Sequence, residues 1–211
     1  MHKRIPQELF SLYSDLGAIV TWYARLRWRV CPFEKIAQHV PLKGTIVDVG
    51  CGYGLLSNLL ALASEEREVI GIDLSPKRIK VAQGTVRDRR NIKFLRQDAN
   101  SLKVEKCNVF LMSDFLHHLP YQHQDELLAL CYQKLSKNGL LIIEEVDDKP
   151  FWKYRFNIIA DGLLNLGQRI YFRNSSEYLR LLSSIGFGVK TEVAHKDLPL
   201  SDVLYLCKKR I

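Results

Sequence analysis

The sequence has no long hydrophobic run. No segment of its 211 residues approaches the ~20 consecutive apolar residues that a membrane-spanning helix requires. The start of the chain, Met1 to Pro6, is not followed by the apolar core of a secretory signal. With 47% hydrophobic and 26% charged residues, the composition is that of a globular protein, and the length suits one domain with a substantial core. We expect a cytoplasmic location.

The cysteines have none of the spacings that serve a disulfide framework or a zinc site. Their number is odd and no two of them have C-x-x-C spacing. Scattered cysteines of this kind are typical of reduced thiols in a cytoplasmic protein. We therefore expect neither a disulfide nor a bound metal. The five are Cys31, Cys51, Cys107, Cys131 and Cys207.

Positive charge is concentrated outside the middle of the chain. Residues 1–43 and 149–211 together carry 18 Lys and Arg against 8 Asp and Glu, whereas residues 44–148 carry 13 against 15. A basic surface on these two segments favours an anionic substrate or partner. An ordinary solvated surface, with Lys and Arg serving solubility, is the alternative that the composition leaves open.

Aromatic residues interleave with arginines near the N-terminus. Apolar residues recur at three- and four-residue steps from Glu8 to Val30, which predicts a helix. Its second half reads W-Y-A-R-L-R-W-R, and Cys31-Pro32 then breaks the pattern because the residue before a proline avoids the helical conformation. A short helix, Phe33 to His39, follows. A second aromatic and partly basic segment, predicted to form one or two helices, begins after Pro150.

The rest of the chain alternates short apolar runs with helical patterns, which predicts a parallel sheet with crossover helices. The predicted strands are Ile46–Val49, Val69–Ile72, Ile92–Leu95, Asn108–Met112, Leu140–Ile143, Gly186–Val193 and Val203–Cys207. The predicted helices are Leu55–Ala63, Pro76 to about Arg87, Tyr121–Leu135 and Ser175–Ser184. Ser75 is a predicted helix cap, Asn174 and Glu177 form a predicted capping pair, and Asn138-Gly139 is the expected end of the third helix.

A glycine-rich turn follows the first strand. The stretch from Ile46 to Gly54 reads I-V-D-V-G-C-G-Y-G, and such a turn lets a ligand approach bare backbone. A dinucleotide fingerprint would be G-x-G-x-x-G, with its third glycine where Leu55 stands. Asp48 would also repel a pyrophosphate and suits a positively charged ligand. A nicotinamide dehydrogenase is therefore the least favoured function.

Four stretches in this order resemble the class I S-adenosylmethionine-dependent methyltransferases, covering about the middle half of the chain. They are D-V-G-C-G-Y-G (Asp48 to Gly54), G-I-D-L-S (Gly71 to Ser75), Q-D-A (Gln97 to Ala99) and D-F-L-H-H-L (Asp114 to Leu119). The resemblance implies a Rossmann-like α/β fold with seven mostly parallel strands, an antiparallel edge strand and helices on both faces. It also implies S-adenosylmethionine as the cofactor.

The resemblance assigns cofactor-binding roles to residues at the carboxyl ends of the strands. Asp48 would order the turn and face the methionine part, and Asp73 would take both ribose hydroxyls. Leu74 would lie against the adenine, and Asp98 would accept from the adenine amino group. Plain capping or surface roles are the alternatives for Asp73 and Asp98. The predicted set is Asp48, Gly50, Cys51, Gly52, Gly54, Asp73, Leu74, Asp98, Ala99 and Asp114.

Candidate catalytic residues follow the fourth strand. Methyl transfer to oxygen or nitrogen requires positioning, desolvation and removal of a proton, and histidine suits the last task. Asp114, His117 and His118 are the candidates, although histidines of this motif often only pack. Glu144, Glu145 and Asp147, after the fifth strand, could bind a substrate hydroxyl or act as the base, with a solvated acidic loop as the favoured alternative.

The predicted organisation is an N-terminal helical lid (1–43), a cofactor-binding core (44–148), and a substrate-covering segment with the last two strands (149–211). A small or lipid-like, anionic acceptor would fit the aromatic and basic flanks, with a membrane surface or carrier protein as partner. The alternative is that these aromatic residues only pack helices onto the edge of the sheet. The alternatives are an RNA methyltransferase and a cofactor-binding subunit without turnover. Nucleic acid is less favoured. Neither an N-P-P-Y-type nor a Pro-Cys motif is present, but these absences do not exclude RNA, since other families lack both.

Overall fold

The computed structural model describes residues 4–147, 170–194 and 202–210, with side chains from Pro6 onward. Its strands are β1 Gly44–Val49, β2 Arg67–Asp73, β3 Ile92–Arg96, β4 Cys107–Ser113, β5 Leu135–Val146, β6 Phe187–Val193 and β7 Asp202–Lys209. Its helices are α1 Arg4–Ser14, α2 Ala18–Val30, α3 Phe33–His39, α4 Leu55–Ala63, α5 Pro76–Gly84, α6 Tyr121–Lys134 and α7 Ser175–Ile185, with short 3₁₀ turns at Ala99–Ser101 and Leu116–His118.

The seven strands form one sheet in the order β3-β2-β1-β4-β5-β7-β6. Strands β1 to β3 pair in parallel, and β7 runs antiparallel to both β5 and β6. The predicted Rossmann-like, mostly parallel sheet is therefore confirmed, with the antiparallel strand β7 next to the edge strand β6. No helix in the described parts of the chain is both long and apolar enough to span a bilayer.

The chain divides into two compact units, residues 1–111 and 112–211. In the first unit, β1 and β2 are the buried strands, because their β-branched side chains face the core on both sides of the sheet. Register pairs Asp48 with Gly71 and Val49 with Ile72. The turns that follow these two strands therefore begin side by side, which brings the glycine-rich turn next to Asp73.

In the second unit, the long strand β5 pairs with β7 over seven residues, from Leu140–Lys208 to Val146–Asp202. Helix α7 begins with the predicted capping box: Asn174 accepts from the Glu177 N–H, and the Glu177 carboxylate accepts from the Asn174 N–H. These two bonds satisfy backbone donors that a helix start would otherwise leave without partners.

Three local predictions are wrong. The single helix from Glu8 to Val30 is two helices, α1 and α2, because the chain turns at Gly17, whose φ of 104° suits only glycine. Helix α5 ends at Gly84 rather than near Arg87. Helix α6 ends at Lys134, and β5 begins at the next residue, so Asn138, with φ 61°, lies inside a strand and not at a helix end.

Strand β5, predicted as Leu140–Ile143, is much longer and extends from Leu135 to Val146. The other predicted elements among the described residues have nearly the observed bounds, and α4 agrees to the residue. The aromatic segment predicted to be helical after Pro150 falls mostly on residues 148–169, which lie outside the described residues.

Candidate functional site

The glycine-rich turn is held in a left-handed backbone conformation. Gly50, Gly52 and Gly54 have φ angles of 75°, 57° and 79°, values that cost a side-chain-bearing residue about 1 kcal/mol or more. The N–H groups of Gly50 and Cys51 both donate to the Ile72 carbonyl, at 2.8 and 2.9 Å. These bonds tie the turn to the end of β2.

The three glycines differ in what surrounds them. A Cβ at Gly54 would collide with the Phe94 ring, whereas a Cβ at Gly52 would have no heavy atom within 4 Å. Gly54 therefore serves close packing of the turn against β3. Gly52 instead borders open space, so a ligand could approach its backbone closely.

Asp73 joins the turn to the start of helix α5. Its Oδ2 accepts from the Gly52 N–H at 3.0 Å, and its Oδ1 accepts from the Ser75 N–H at 2.8 Å. The side chain is 7% exposed. Each carboxylate oxygen retains a second lone pair, so the group can take two further hydroxyl donors while holding the turn, as the ribose role requires.

Asp48 is buried beneath the turn and is 3% exposed. Burial raises its pKa from the ordinary value of 3.8 to about 6, against the opposing effect of Ser57 and with a further raising effect of Asp73. The Ser57 hydroxyl donates to Oδ2 at 2.5 Å. A carboxylate so poorly solvated gains from a nearby cation, which suits a sulfonium or ammonium ligand better than a phosphate.

Residues predicted to contact adenine lie at the ends of β2 and β3. Leu74 is 61% exposed at the end of β2, where a flat apolar ligand would cover it. Asp98 is exposed and accepts from the Asn100 N–H at 2.9 Å, so it caps the 3₁₀ turn that contains the buried Ala99. Capping occupies one oxygen and leaves the other for a ligand.

Cys51 lies half-buried in the turn. Burial raises the pKa of its thiol, and Asp48 and Asp73 raise it further. The side chain is therefore a neutral thiol that packs near Gly71, and it carries no nucleophilic role.

Sequence reasoning missed a buried polar network that connects α1 to the turn. The Tyr13 hydroxyl donates to the Tyr53 carbonyl at 3.0 Å and accepts from Asn58 Nδ2 at 2.9 Å. Asn58 also donates to Thr85 Oγ1 at 2.8 Å and accepts from Arg89. Because Tyr13 and Asn58 are fully buried, this network fixes the backbone of the turn at Tyr53. Its members are far apart in sequence, so no local pattern predicts it.

In the second unit, His117 is held by Glu145. Its Nδ1 lies 2.7 Å from Glu145 Oε2, and each side chain is 1% exposed. Glu145 Oε1 accepts from the backbone N–H groups of Phe115 and Leu116. A carboxylate with two backbone donors serves as an acceptor, which favours the tautomer of His117 with its proton on Nδ1. The favoured prediction of a solvated acidic loop is therefore wrong for Glu144 and Glu145, because both are buried near the end of β5.

Asp114 lies on the other side of the same histidine. Its Oδ1 is 3.7 Å from His117 Nε2, and its side chain is 29% exposed. Its φ of 54° is strained for a residue other than glycine. The Asp114 N–H donates to the Glu144 carbonyl at 3.0 Å. Asp114 is therefore the solvent-accessible end of an Asp114–His117–Glu145 series.

Aromatic side chains complete the surroundings of His117. The Phe172 ring stacks on it with centroids 5.1 Å apart, and the His118 ring is 4.2 Å away. Neighbouring Glu144 is buried, and burial together with Asp202 and Asp114 raises its pKa well above the ordinary value. Ser113 donates to Glu144 at 2.7 Å. We read Glu144 as a structural acid, whereas Asp147, which accepts from the Ser175 N–H, anchors the start of α7.

Of the predicted residues, the structure brings Asp48, Gly50, Gly52 and Asp73 together in the first unit. It groups Asp114, His117 and His118 in the second. A family model described as a methyltransferase domain matches residues 46–139, which contain all of them. We identify residues 46–139 as part of a class I S-adenosylmethionine-dependent methyltransferase domain.

A curated relative of the chain agrees with this identification. It is 30% identical over 138 residues to a ubiquinone biosynthesis O-methyltransferase of Coxiella burnetii, a match that covers 63% of this chain and 57% of the relative. The chain thus spans less than two thirds of the length of that relative.

Two solved structures share the fold. The pyocyanin biosynthetic protein PhzM has a TM-score of 0.73 and 18% identity over 94% of this chain and 60% of its own. Magnesium protoporphyrin IX methyltransferase of Synechocystis, solved with bound S-adenosylhomocysteine, has a TM-score of 0.66 and 20% identity over 99% of this chain and 95% of its own.

The family identifies S-adenosylmethionine as the cofactor of this methyltransferase, and the residues of the first unit fit it. Asp73 offers two oxygens for vicinal hydroxyls, Leu74 offers an apolar surface, and the open side of Gly52 leaves room for a ligand.

Proposed function

We propose that the chain transfers a methyl group from S-adenosylmethionine to a hydroxyl oxygen of a small or lipid-like acceptor. The observation that carries the proposal is the pair of buried carboxylates, Asp48 and Asp73, at a turn whose glycines have left-handed backbone. A site of this composition favours a cationic nucleoside over a pyrophosphate.

The cofactor supplies a methyl group already activated by the sulfonium. The protein must therefore orient it, exclude water and accept a proton. Asp73 orients the ribose and, through Gly52, couples ribose binding to the shape of the turn. Asp48, held by Ser57, contributes negative charge behind the turn.

We assign the proton transfer to His117. Glu145 fixes the tautomer in which Nε2 is basic and stabilises the imidazolium that forms. Asp114 Oδ1 is 3.7 Å from Nε2, so a hydroxyl bound to Asp114 would lie beside the buried Nε2 atom. Asp114 would position that hydroxyl and His117 would take its proton.

The nature of the acceptor is supported by the relatives and by the flanks. The relative from Coxiella burnetii is named as an O-methyltransferase of ubiquinone biosynthesis, so the atom that it methylates is an oxygen. The basic and aromatic residues of 1–43 and 149–211 suit an apolar molecule with a negative group.

The cofactor part is tested by calorimetry with S-adenosylhomocysteine. Asp73→Asn keeps the size of the side chain, but its amide cannot accept both backbone N–H bonds and both hydroxyls. We expect a loss of affinity of at least a hundredfold, because two charge-assisted hydrogen bonds contribute about 1.5–3 kcal/mol each. Asp88→Asn, on an exposed carboxylate, is the matched control. Equal affinity of the two variants would refute the assignment.

The acceptor is sought by incubation of labelled cofactor with an extract separated into lipid, RNA and protein fractions. Label in the lipid fraction supports the proposal. Label in RNA identifies the alternative RNA methyltransferase. Cofactor binding without label in any fraction identifies a subunit that has no turnover of its own.

The base is tested with Glu145→Gln once an acceptor is known. The amide would donate to Nδ1 and leave the proton on Nε2, so the histidine could not act as base. We expect kcat to fall about 10²- to 10⁴-fold with unchanged affinity for S-adenosylhomocysteine. A variant that retains kcat would show that Glu145 and His117 only pack.

A further inference from the structure

Helix α2 exposes one continuous face. Its exposed side chains are Ala18, Ile19, Trp22, Arg25 and Arg29, which lie within about 120° on a helical projection. The opposite side of the helix contains the buried Ala24. Trp22 is 64% and Ile19 is 83% exposed. We call these five residues the α2 face.

The α2 face combines an apolar half and a basic half. Ile19 and Trp22 lie in the first turns of the helix, and the two arginines lie in the last turns. No acidic residue occurs anywhere in α2. Within the described parts of the chain, neither Arg25 nor Arg29 forms an ion pair or a hydrogen bond through its side chain.

The α2 face is separate from the side of the helix that packs against the glycine-rich turn. Tyr23 points elsewhere, and its ring lies 4.7 Å from that of Tyr53. Trp28, also outside the face, packs against Phe10 and Phe33. The exposed tryptophan is therefore not required for the packing of α2.

We propose that the α2 face docks the protein on a phospholipid bilayer with anionic headgroups. Tryptophan and isoleucine can enter the boundary between headgroups and acyl chains, while arginines bind phosphates at the same depth. Binding to a bilayer does not depend on the proposed function. Only its biological role does, because docking would bring the enzyme to a lipid-like acceptor.

The composition of the α2 face favours a bilayer over other anionic partners. RNA is bound through many phosphate contacts, whereas this face has two cations beside two large apolar side chains. An acidic protein would pair with the arginines but would need an apolar pocket for Trp22. A bilayer accommodates both halves without a preformed pocket.

The test is flotation of the full chain with vesicles of phosphatidylcholine, with and without about one third phosphatidylglycerol. We expect binding to the anionic vesicles that weakens with salt. Each basic side chain near such a surface contributes about fivefold to partitioning, so Arg25→Gln with Arg29→Gln should reduce binding about 25-fold. Trp22→Ser should reduce it about tenfold or more.

Two control variants distinguish binding through the α2 face from a general effect of positive charge or of exposed apolar side chains. Lys103→Gln with Lys106→Gln removes the same charge from exposed residues elsewhere, and Leu42→Ser removes an apolar side chain that is also 64% exposed. We expect both to bind vesicles within about twofold of the natural chain.

The proposal would be overturned if the chain did not bind anionic vesicles, or if the variants of the α2 face bound them as well as the controls do. Retention on RNA or on an acidic carrier protein without vesicle binding would also overturn it, in favour of that partner. Flotation needs neither cofactor nor acceptor. Its failure therefore leaves the methyl transfer intact, and calorimetry with S-adenosylhomocysteine tests that function separately.

Discussion

Affinity for the cofactor should depend on pH through Asp48. Burial raises the pKa of this carboxyl from 3.8 to about 6, so it is mostly protonated at pH 5 and mostly ionised at pH 7.5. A cationic nucleoside gains from the ionised form only. If that form alone binds, the apparent Kd should be about tenfold larger at pH 5 than at pH 7.5.

The same pKa shift has the opposite effect on stability. A carboxyl whose pKa is raised on folding stabilises the folded state at low pH. This contribution is complete below pH 3.8, the ordinary pKa of the group, and is lost as the pH rises through about 6. A shift of about two units corresponds to about 3 kcal/mol. Asp48→Asn should therefore be more stable than the natural chain at pH 7.5, by up to about 3 kcal/mol, while binding the cofactor less tightly.

The assay is calorimetry with S-adenosylmethionine at pH 5, 6 and 7.5, with urea unfolding at the same pH values. The amide that replaces the carboxyl in Asp48→Asn is uncharged throughout, so the Kd of this variant should not change over this range. A natural chain with constant Kd, or an Asp48→Asn variant with the same pH dependence, would refute the role of Asp48. A variant destabilised at pH 7.5 would contradict the stability argument.

Further predictions concern the turn and its support. Gly54→Ala should unfold more easily by several kcal/mol, because a Cβ meets the Phe94 ring, whereas Gly52→Ala should cost only about 1 kcal/mol in urea unfolding while weakening cofactor binding. Tyr13→Phe should weaken cofactor binding in calorimetry, since the Tyr53 carbonyl loses its donor, and unchanged Kd would contradict this. Asn174→Ala should lower the unfolding free energy by about 1 kcal/mol without affecting cofactor binding.

The cofactor part of the fold could be predicted from sequence because its signals are local. A β-branched run followed by Gly50, Gly52 and Gly54 predicts both a strand and the turn that ends it. Ser75-Pro76 predicts a helix start that the structure confirms. Parallel pairing of β1 with β2 then places Asp73 beside the turn. Each step depends on residues close together in the chain.

The parts that could not be predicted depend on long-range contacts or on competition between local signals. Asn138-Gly139 is a typical helix end, yet pairing along β5 determines the conformation there, and the strand begins at Leu135. The Tyr13 network joins residues 45 positions apart. Gly17, in contrast, was a local signal for a break between α1 and α2, and the apolar periodicity across it obscured that signal.

The histidine pair shows why residue type alone does not assign a base. His117 and His118 are adjacent in sequence. Among the contacts of the described residues, it is His117 that pairs with Glu145, 28 residues away, and lies 3.7 Å from Asp114. Burial of that carboxylate is tolerated because two backbone N–H groups and the imidazole satisfy it. A histidine with a purely structural role would need only the bond from Nδ1 to Glu145. Here the second ring nitrogen, Nε2, also faces the half-exposed carboxylate of Asp114. That asymmetry suits the general base that we propose, and Asp114, which is 29% exposed, is the residue of the three that an acceptor would meet first.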